Sequence, residues 1–373
     1  MGFESNQGPS GPSRRRLLQG AALGLGAAAV SAFPKPGLAA GTRDIAFTLP
    51  WLAQGATAYS YIAKDRGFFE QRGLEVEISR GAGSLAAAQA IGNGQFDYGL
   101  VSTGATLVAA AAGVPLAALG TANYDAYMGN LVLEDSPIRT PKDLNGKKLG
   151  GVPASAEAPF WPAFAARAGI DLATIDYVQS DPRVLERALV DGQLDASIGI
   201  VSTSYAVIEA MGKKTRGILW SEYGLTFYSN NVVTTQDTLA KDPGVAAAVT
   251  EALMEGLAYQ LKNPEESLDI FMKMVPELEL TKGGREFANL SQGFMLASVV
   301  RPEATEEGLG YSDMAKIADM TDLVMEYAAK EGAVRPDPER LFTNDYVGKI
   351  KLSPEEWTQV RGYTDAFPAL LGL

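Results

Sequence analysis

Histidine and cysteine are both absent from this chain of 373 residues, and with them go the usual tools of acid–base, nucleophilic and zinc chemistry. Ser–His–Asp triads, disulfides and thiolate metal sites are excluded. Carboxylates, Lys and Tyr remain, but no carboxylate pair is spaced for acid–base work. In "SDPRVLERALVDGQLD" (180–195), Glu186 and Asp191 read as pointing apart on a solvated helix face. No catalytic residue, metal site or cofactor is therefore assigned. The Gly-rich turn "SRGAGSLAAAQ" (79–89) lacks both the Gly-Lys-Ser/Thr ending of a P-loop and the third Gly of a dinucleotide fingerprint.

The remaining residue types suit binding. Trp51 follows Pro50 at the end of an apolar run, and Tyr59 and Tyr61 follow in a helical pattern. Two residues apart on a helix is about 200°, so the two tyrosines cannot both face a ligand. Tyr59, nearer the helix start, is the candidate contact and Tyr61 the packing residue. Gly83 and Ser84 sit in a strand-to-helix turn whose amides could cradle a polar group. Ser102/Thr103 and Ser202/Thr203 each follow a valine at the end of an apolar run, where they can cap a helix and still meet a ligand. Ser155 opens a helix in "GGVPASAEAPFWPAF" (150–164). Trp161 in that stretch has two readings, ring contact or core packing, and packing is the commoner fate of a large aromatic. "YGLTFYSNN" (223–231) mixes flat faces with hydrogen-bonding groups as pockets do, or marks a hinge edge. Tyr228 and Asn230 from it, with Tyr124, complete the candidate ligand set.

Apolar runs at 44–49, 74–79, 96–101, 115–120, 147–152, 174–179, 195–201 and 215–220 read as strands, with helical patterns between them. From about Asp237 onward the pattern is largely helical. This alternation predicts an α/β fold of two lobes, each a mostly parallel sheet flanked by helices, with a helical C-terminal part. An internal echo supports two similar halves: Gly94-Gln95-x-Asp97 matches Gly192-Gln193-x-Asp195, and Val-Ser-Thr follows in each, two residues later in the second. Ligands of open α/β sheets collect at the carboxyl ends of strands, so facing lobes would bring both Val-Ser-Thr corners to one cleft.

"SRRRLLQG" (13–20), the Ala/Gly-rich apolar stretch after it and the small residues near Ala39 and Ala40 form an export signal over 1–40. Ser-Arg-Arg-x-Leu-Leu-Gln resembles the twin-arginine type. Residues 1–40 hold four of the 32 basic and one of the 44 acidic residues, so the remainder carries a net charge of −15. That balance argues against nucleic acid and leaves any anion to be held by local donors. Without a cysteine at the cleavage site there is no lipid tether, so a free periplasmic monomer is expected.

Trp51 after the first strand, "YIAKDRGFFEQRGLEVEI", "GNGQFDYGLV", "AGVPLAAL", "PKDLNGKKLG" and "LVDGQLDASIG" together resemble the periplasmic substrate-binding proteins of ABC importers, in the group serving nitrate, sulfonate, taurine and thiamine-pyrimidine precursors. The resemblance spans about 44–275. It implies a type II binding-protein fold with lobe 1 over 41–132 and 230–373 and lobe 2 over 133–229. It also implies hinge closure on a solute, and a membrane permease with its ATPase as partners. Trp51 and the tyrosines resemble the pyrimidine-binding branch and point to a planar organic ligand, aromatic or heterocyclic, able to carry an acidic group. An alkanesulfonate, taurine or nitrate-type anion is the alternative. The family's enzyme branch consumes one of its own histidines, which this chain lacks, and a periplasmic hydrolase or lyase would need a base not evident here.

Overall fold

The computed structural model describes residues 42–373, so the export signal expected over 1–40 lies outside the described residues. Strands β1 (Arg43–Thr48), β2 (Leu74–Ser79), β3 (Tyr98–Ser102) and β4 (Leu116–Thr121) come first. Then follow β5 (Met128–Leu133), β6 (Lys148–Gly151), β7 (Asp176–Gln179), β8 (Ala196–Ile200) and β9 (Thr215–Leu219), and last β10 (Asn230–Thr235). They form two five-stranded sheets of matching order, β2-β1-β3-β10-β4 and β7-β6-β8-β5-β9. The eight expected strands each coincide with one of these to within about two residues.

The two strands that sequence reasoning missed, β5 and β10, run antiparallel to both of their neighbours, which makes each sheet mixed. Each is the first strand after the chain crosses between lobes. Their sequences, "MGNLVL" and "NNVVTT", are almost wholly buried and show no alternation, because neither face of a central strand meets water. The first crossing falls between Thr121 and Met128, ahead of the expected boundary at 133.

The echoed motif is one device used twice. Asp97 accepts the Ala46 N–H at 2.8 Å and donates its own N–H to the Ala46 carbonyl at 2.9 Å. Asp195 does the same with Lys148, at 2.8 and 2.9 Å. In both lobes a left-handed glycine, Gly94 (φ 74°) or Gly192 (φ 71°), turns the chain out of a helix and the aspartate then fixes the next strand beside its parallel neighbour.

Helices α1 (Ala58–Asp65), α2 (Ser84–Gly92) and α3 (Thr103–Ala111) belong to lobe 1, and α4 (Trp161–Ala168), α5 (Leu185–Val190) and α6 (Val201–Ala210) to lobe 2. The rest of the chain is helical. Its longest member, Pro243–Lys262, starts with Pro at its first position and with Asp242 accepting the Val245 N–H at 3.1 Å, both favourable helix starts. Among the described residues no helix is long and apolar enough to cross a membrane.

An apolar core runs unbroken from lobe 1 into one face of the lobe 2 sheet. Phe227 meets Phe160 at 4.4 Å between ring centroids, and Trp220 stacks on Phe164 at 5.1 Å. The Trp220 indole N–H donates to Asn130 on β5 at 2.9 Å, so the ring is buried without an orphaned donor. On the other face, α5 and α6 form a second cluster that includes Phe294 from the C-terminal helix Gly284–Val299.

Removing one aspartate clamp should cost about 1 kcal/mol, the net worth of a hydrogen bond. Asp97→Ala and Asp195→Ala should therefore each lower the urea midpoint by a similar amount. Unequal losses, or none, would show that the two motifs do not share a structural role.

Candidate functional site

The carboxyl ends of β1, β3 and β8 face one another across a cleft between the lobes. Of the residues expected at a ligand, Trp51, Ser84, Ser102, Ser155, Ser202, Thr203 and Asn230 line it. Trp51 follows β1 on a loop held by two backbone bonds to the Gly-rich turn, Gly81 N–H to the Trp51 carbonyl and Gly83 N–H to the Pro50 carbonyl, both 3.0 Å. Its side chain is half-buried and reaches toward the lobe 2 cluster. Ser102 caps α3, its hydroxyl accepting the Ala105 N–H at 3.4 Å.

The second Val-Ser-Thr corner is built differently. There α6 begins at Val201 directly from the end of β8, with no side-chain cap. Ser202 and Thr203 thus lie inside the first helical turn, a consequence of the two extra residues after Asp195. The Thr203 hydroxyl crosses the cleft to donate to Gln54 Oε1 of lobe 1 at 3.1 Å.

Six candidates sit elsewhere. Tyr59 is fully buried in the lobe 1 core and its hydroxyl has no partner among the described residues, and burial pushes its phenol up. Tyr61 packs edge-on against Phe271 at 5.4 Å, so both tyrosines of that helix are interior. Thr103 is buried and ties α3 to the start of β10, accepting from Asn231 Nδ2 at 2.8 Å. Tyr124 meets Tyr228 edge-to-face at 5.2 Å, and Tyr228 donates to Glu303, facing the C-terminal helices. Trp161 packs with Phe164 and Trp220 in the core, at 5.9 and 6.1 Å. A helical period cannot distinguish these faces, because the C-terminal helices cover surface that a lone lobe would expose.

Gly83, the sixth, shapes the cleft through its backbone. A Cβ there would lie 2.1 Å from the Ala154 carbonyl oxygen of lobe 2, and its φ of 139° is one that L side chains rarely adopt. Two residues on, the Leu85 N–H donates to that same carbonyl at 3.2 Å.

Sequence reasoning missed the acidic side of the site. Asp125, Glu157 and Glu186 all line the cleft, and no Lys or Arg does. Glu186, expected on a solvated face, is buried and accepts the Ser204 hydroxyl at 2.6 Å, whereas Asp191 pairs with Arg187 at 2.7 Å on the surface. Glu157 accepts the Ser155 hydroxyl through Oε1 at 2.5 Å. Burial pushes its carboxyl up to about 7, with Glu186 adding repulsion. Burial likewise raises the carboxyls of Glu186 and Asp125, against hydrogen bonds from Ser204 to the one and from the Tyr127 N–H to the other. Tyr127, also lining the cleft, is the single non-glycine with positive φ (45°) among the described residues. Its carbonyl accepts the Val201 N–H at 2.7 Å, so the crossing chain and the start of α6 are fixed together.

Two α/β lobes around a cleft make the periplasmic binding-protein fold. Residues 55–267 match the model of the family described as NMT1/THI5 like, and the chain belongs to that family. It is similar to the riboflavin-binding protein RibY of Chloroflexus aurantiacus, 21% identical over 86% of this chain and 91% of that one. It is also similar to the 4-amino-5-hydroxymethyl-2-methylpyrimidine phosphate synthase of Schizosaccharomyces pombe, 22% identical over 84% and 89%. Among solved structures, the alkanesulfonate-binding protein SsuA of Xanthomonas axonopodis pv. citri, bound to MOPS, shares the fold, with a TM-score of 0.60 and 17% identity over 81% of this chain and 98% of that one.

Gly83→Ala should hold the lobes apart, and solution scattering of the folded variant should give a larger radius of gyration than the wild type. An unchanged radius would mean the Ala154 contact does not set the spacing of the lobes. A carboxyl whose folded value lies above its unfolded 4.5 contributes stability that is present below pH 4.5 and lost as pH rises through about 7. Denaturant unfolding should therefore show the wild type losing about 3 kcal/mol over that window relative to Glu157→Gln. Parallel pH profiles for the two proteins would count against a neutral Glu157.

Proposed function

We propose that this chain is the extracytoplasmic solute-binding component of an ABC importer, exported by a twin-arginine-type signal and free in the periplasm. It captures a planar, ring-bearing organic molecule in the cleft and hands it to a membrane permease driven by its ATPase. The observation that carries this reading is the half-buried Trp51 at a cleft whose walls come from both lobes. A ring laid on that indole touches lobe 1, and the serines and acids of lobe 2 reach its edge. A ligand that contacts both lobes favours the closed arrangement, which is the signal a permease reads.

The alternative of a sulfonate, taurine or nitrate ligand loses support from the same lining. A bare anion would enter beside Asp125, Glu157 and Glu186, and Arg301, which lies outside the lining, is already engaged with Asp125 and Tyr127. The similarity to a riboflavin-binding protein fits a ring ligand, and the similarity to a pyrimidine phosphate synthase keeps turnover among the outcomes to be tested.

A thermal-shift screen over pyrimidines, flavins, aromatic acids, aromatic amines, sulfonates and nitrate should give its largest shift with a ring compound. A ligand at 100 times its dissociation constant adds about 2.7 kcal/mol. The hit should be recovered unchanged after incubation; a new product would replace the capture reading with an enzymatic one. Trp51→Ala should weaken that ligand by about 1–3 kcal/mol, the range of base–aromatic stacking. Its melting temperature should stay near that of the wild type, because the side chain is only half-buried.

A further inference from the structure

The three cleft carboxylates are not equivalent. Asp125 accepts the Tyr127 N–H and lies within reach of the Arg301 charge. Among the described residues neither Glu157 nor Glu186 is paired with a Lys or Arg; each receives a serine hydroxyl, from Ser155 and Ser204, and a backbone N–H. Glu157 Oε2 is buried and has no hydrogen-bond partner among the described residues. A buried carboxylate left so poorly matched is costly unless a partner with N–H donors arrives. The described residues contain no group of three or more acids arranged to hold a metal ion.

Resting on the reading of the cleft as a ligand site, we infer that its ligand is an organic cation, a planar nitrogen base whose protonated N–H edge is received by Glu157 and Glu186 while its ring lies on Trp51. The proton-bearing edge supplies what the two serines cannot, a full positive charge. The acidic group expected on the ligand from sequence is therefore replaced by a basic one. The charged and titratable groups facing Glu157 are Glu186 on α5, Asp125 across the cleft and the Tyr177 phenol on β7, none of them basic.

This predicts proton-linked capture. A cation requires Glu157 as carboxylate, and that group takes up a proton near pH 7. Affinity for a cation should then be level above neutrality and fall below it, by up to about tenfold per pH unit. An anion of the same shape should follow the opposite slope.

The test is titration calorimetry of the mature protein with three one-ring probes, benzamidinium, benzoate and benzenesulfonate, between pH 5.5 and 8.5. Benzamidinium should bind best, lose affinity toward pH 5.5 and be weakened at least tenfold by Glu157→Gln and by Glu186→Gln. Far-UV circular dichroism and melting show whether those conservative variants remain folded; the wild-type pH slope decides the matter even if one does not. Preference for benzoate or benzenesulfonate would overturn the cation assignment while leaving the cleft a ring-binding site. Binding of none of the three would overturn both readings.

Discussion

Each sheet of this protein is completed by a strand that arrives from the other lobe. β5 enters between β8 and β9, and β10 enters between β3 and β4, both antiparallel to what they join. Neither lobe can close its hydrogen-bond ladder without the chain passing between them twice. The cleft lies where those passages occur, so its floor is built from crossing segments. Tyr127 and Asp125 precede β5, and Ser229 and Asn230 lead into β10. The residue forced to positive φ, Tyr127, sits at one of these passages.

The repeated half explains the site's architecture and also its asymmetry. The aspartate clamp is the same in both lobes, to the hydrogen bond. The corners that follow are not. Lobe 1 offers a capped helix start with Ser102 accepting a backbone N–H, and lobe 2 offers an uncapped turn whose Thr203 hydroxyl is spent on Gln54 across the cleft. Two residues of extra chain converted a structural cap into an inter-lobe contact.

How much of this was legible in the sequence depended on whether a residue's role was local. Strand alternation, glycine caps and the echoed Gly-Gln-x-Asp are local, and they located eight strands and the paired lobes. β5 and β10 were not legible because a central strand buried on both faces carries no period. Trp51 and most of the hydroxyl residues were found at the cleft because strand ends are where an α/β sheet binds. Tyr59, Tyr124 and Tyr228 were misplaced because their ring faces are settled by distant helices, whereas Trp161 takes the packing role that was the commoner of its two readings. Glu186 was read as surface because Arg187 and Asp191 share its segment, and Glu157 was passed over in a stretch read for Ser155 and Trp161. Only the fold reveals that Ser155 and Ser204 stand over them.

The helix Gly284–Val299 lies beyond the stretch that matches the family model, yet it places Phe294 in the lobe 2 cluster and Met295 at the cleft. Tyr205 of α6 meets Phe294 edge-on at 5.6 Å. Lobe 2 is therefore not hung from two strands alone. Any turn of lobe 2 against the rest of the chain would have to slide one aromatic edge over another, so the helices that follow the crossing strands bear on lobe 2 as directly as the strands do.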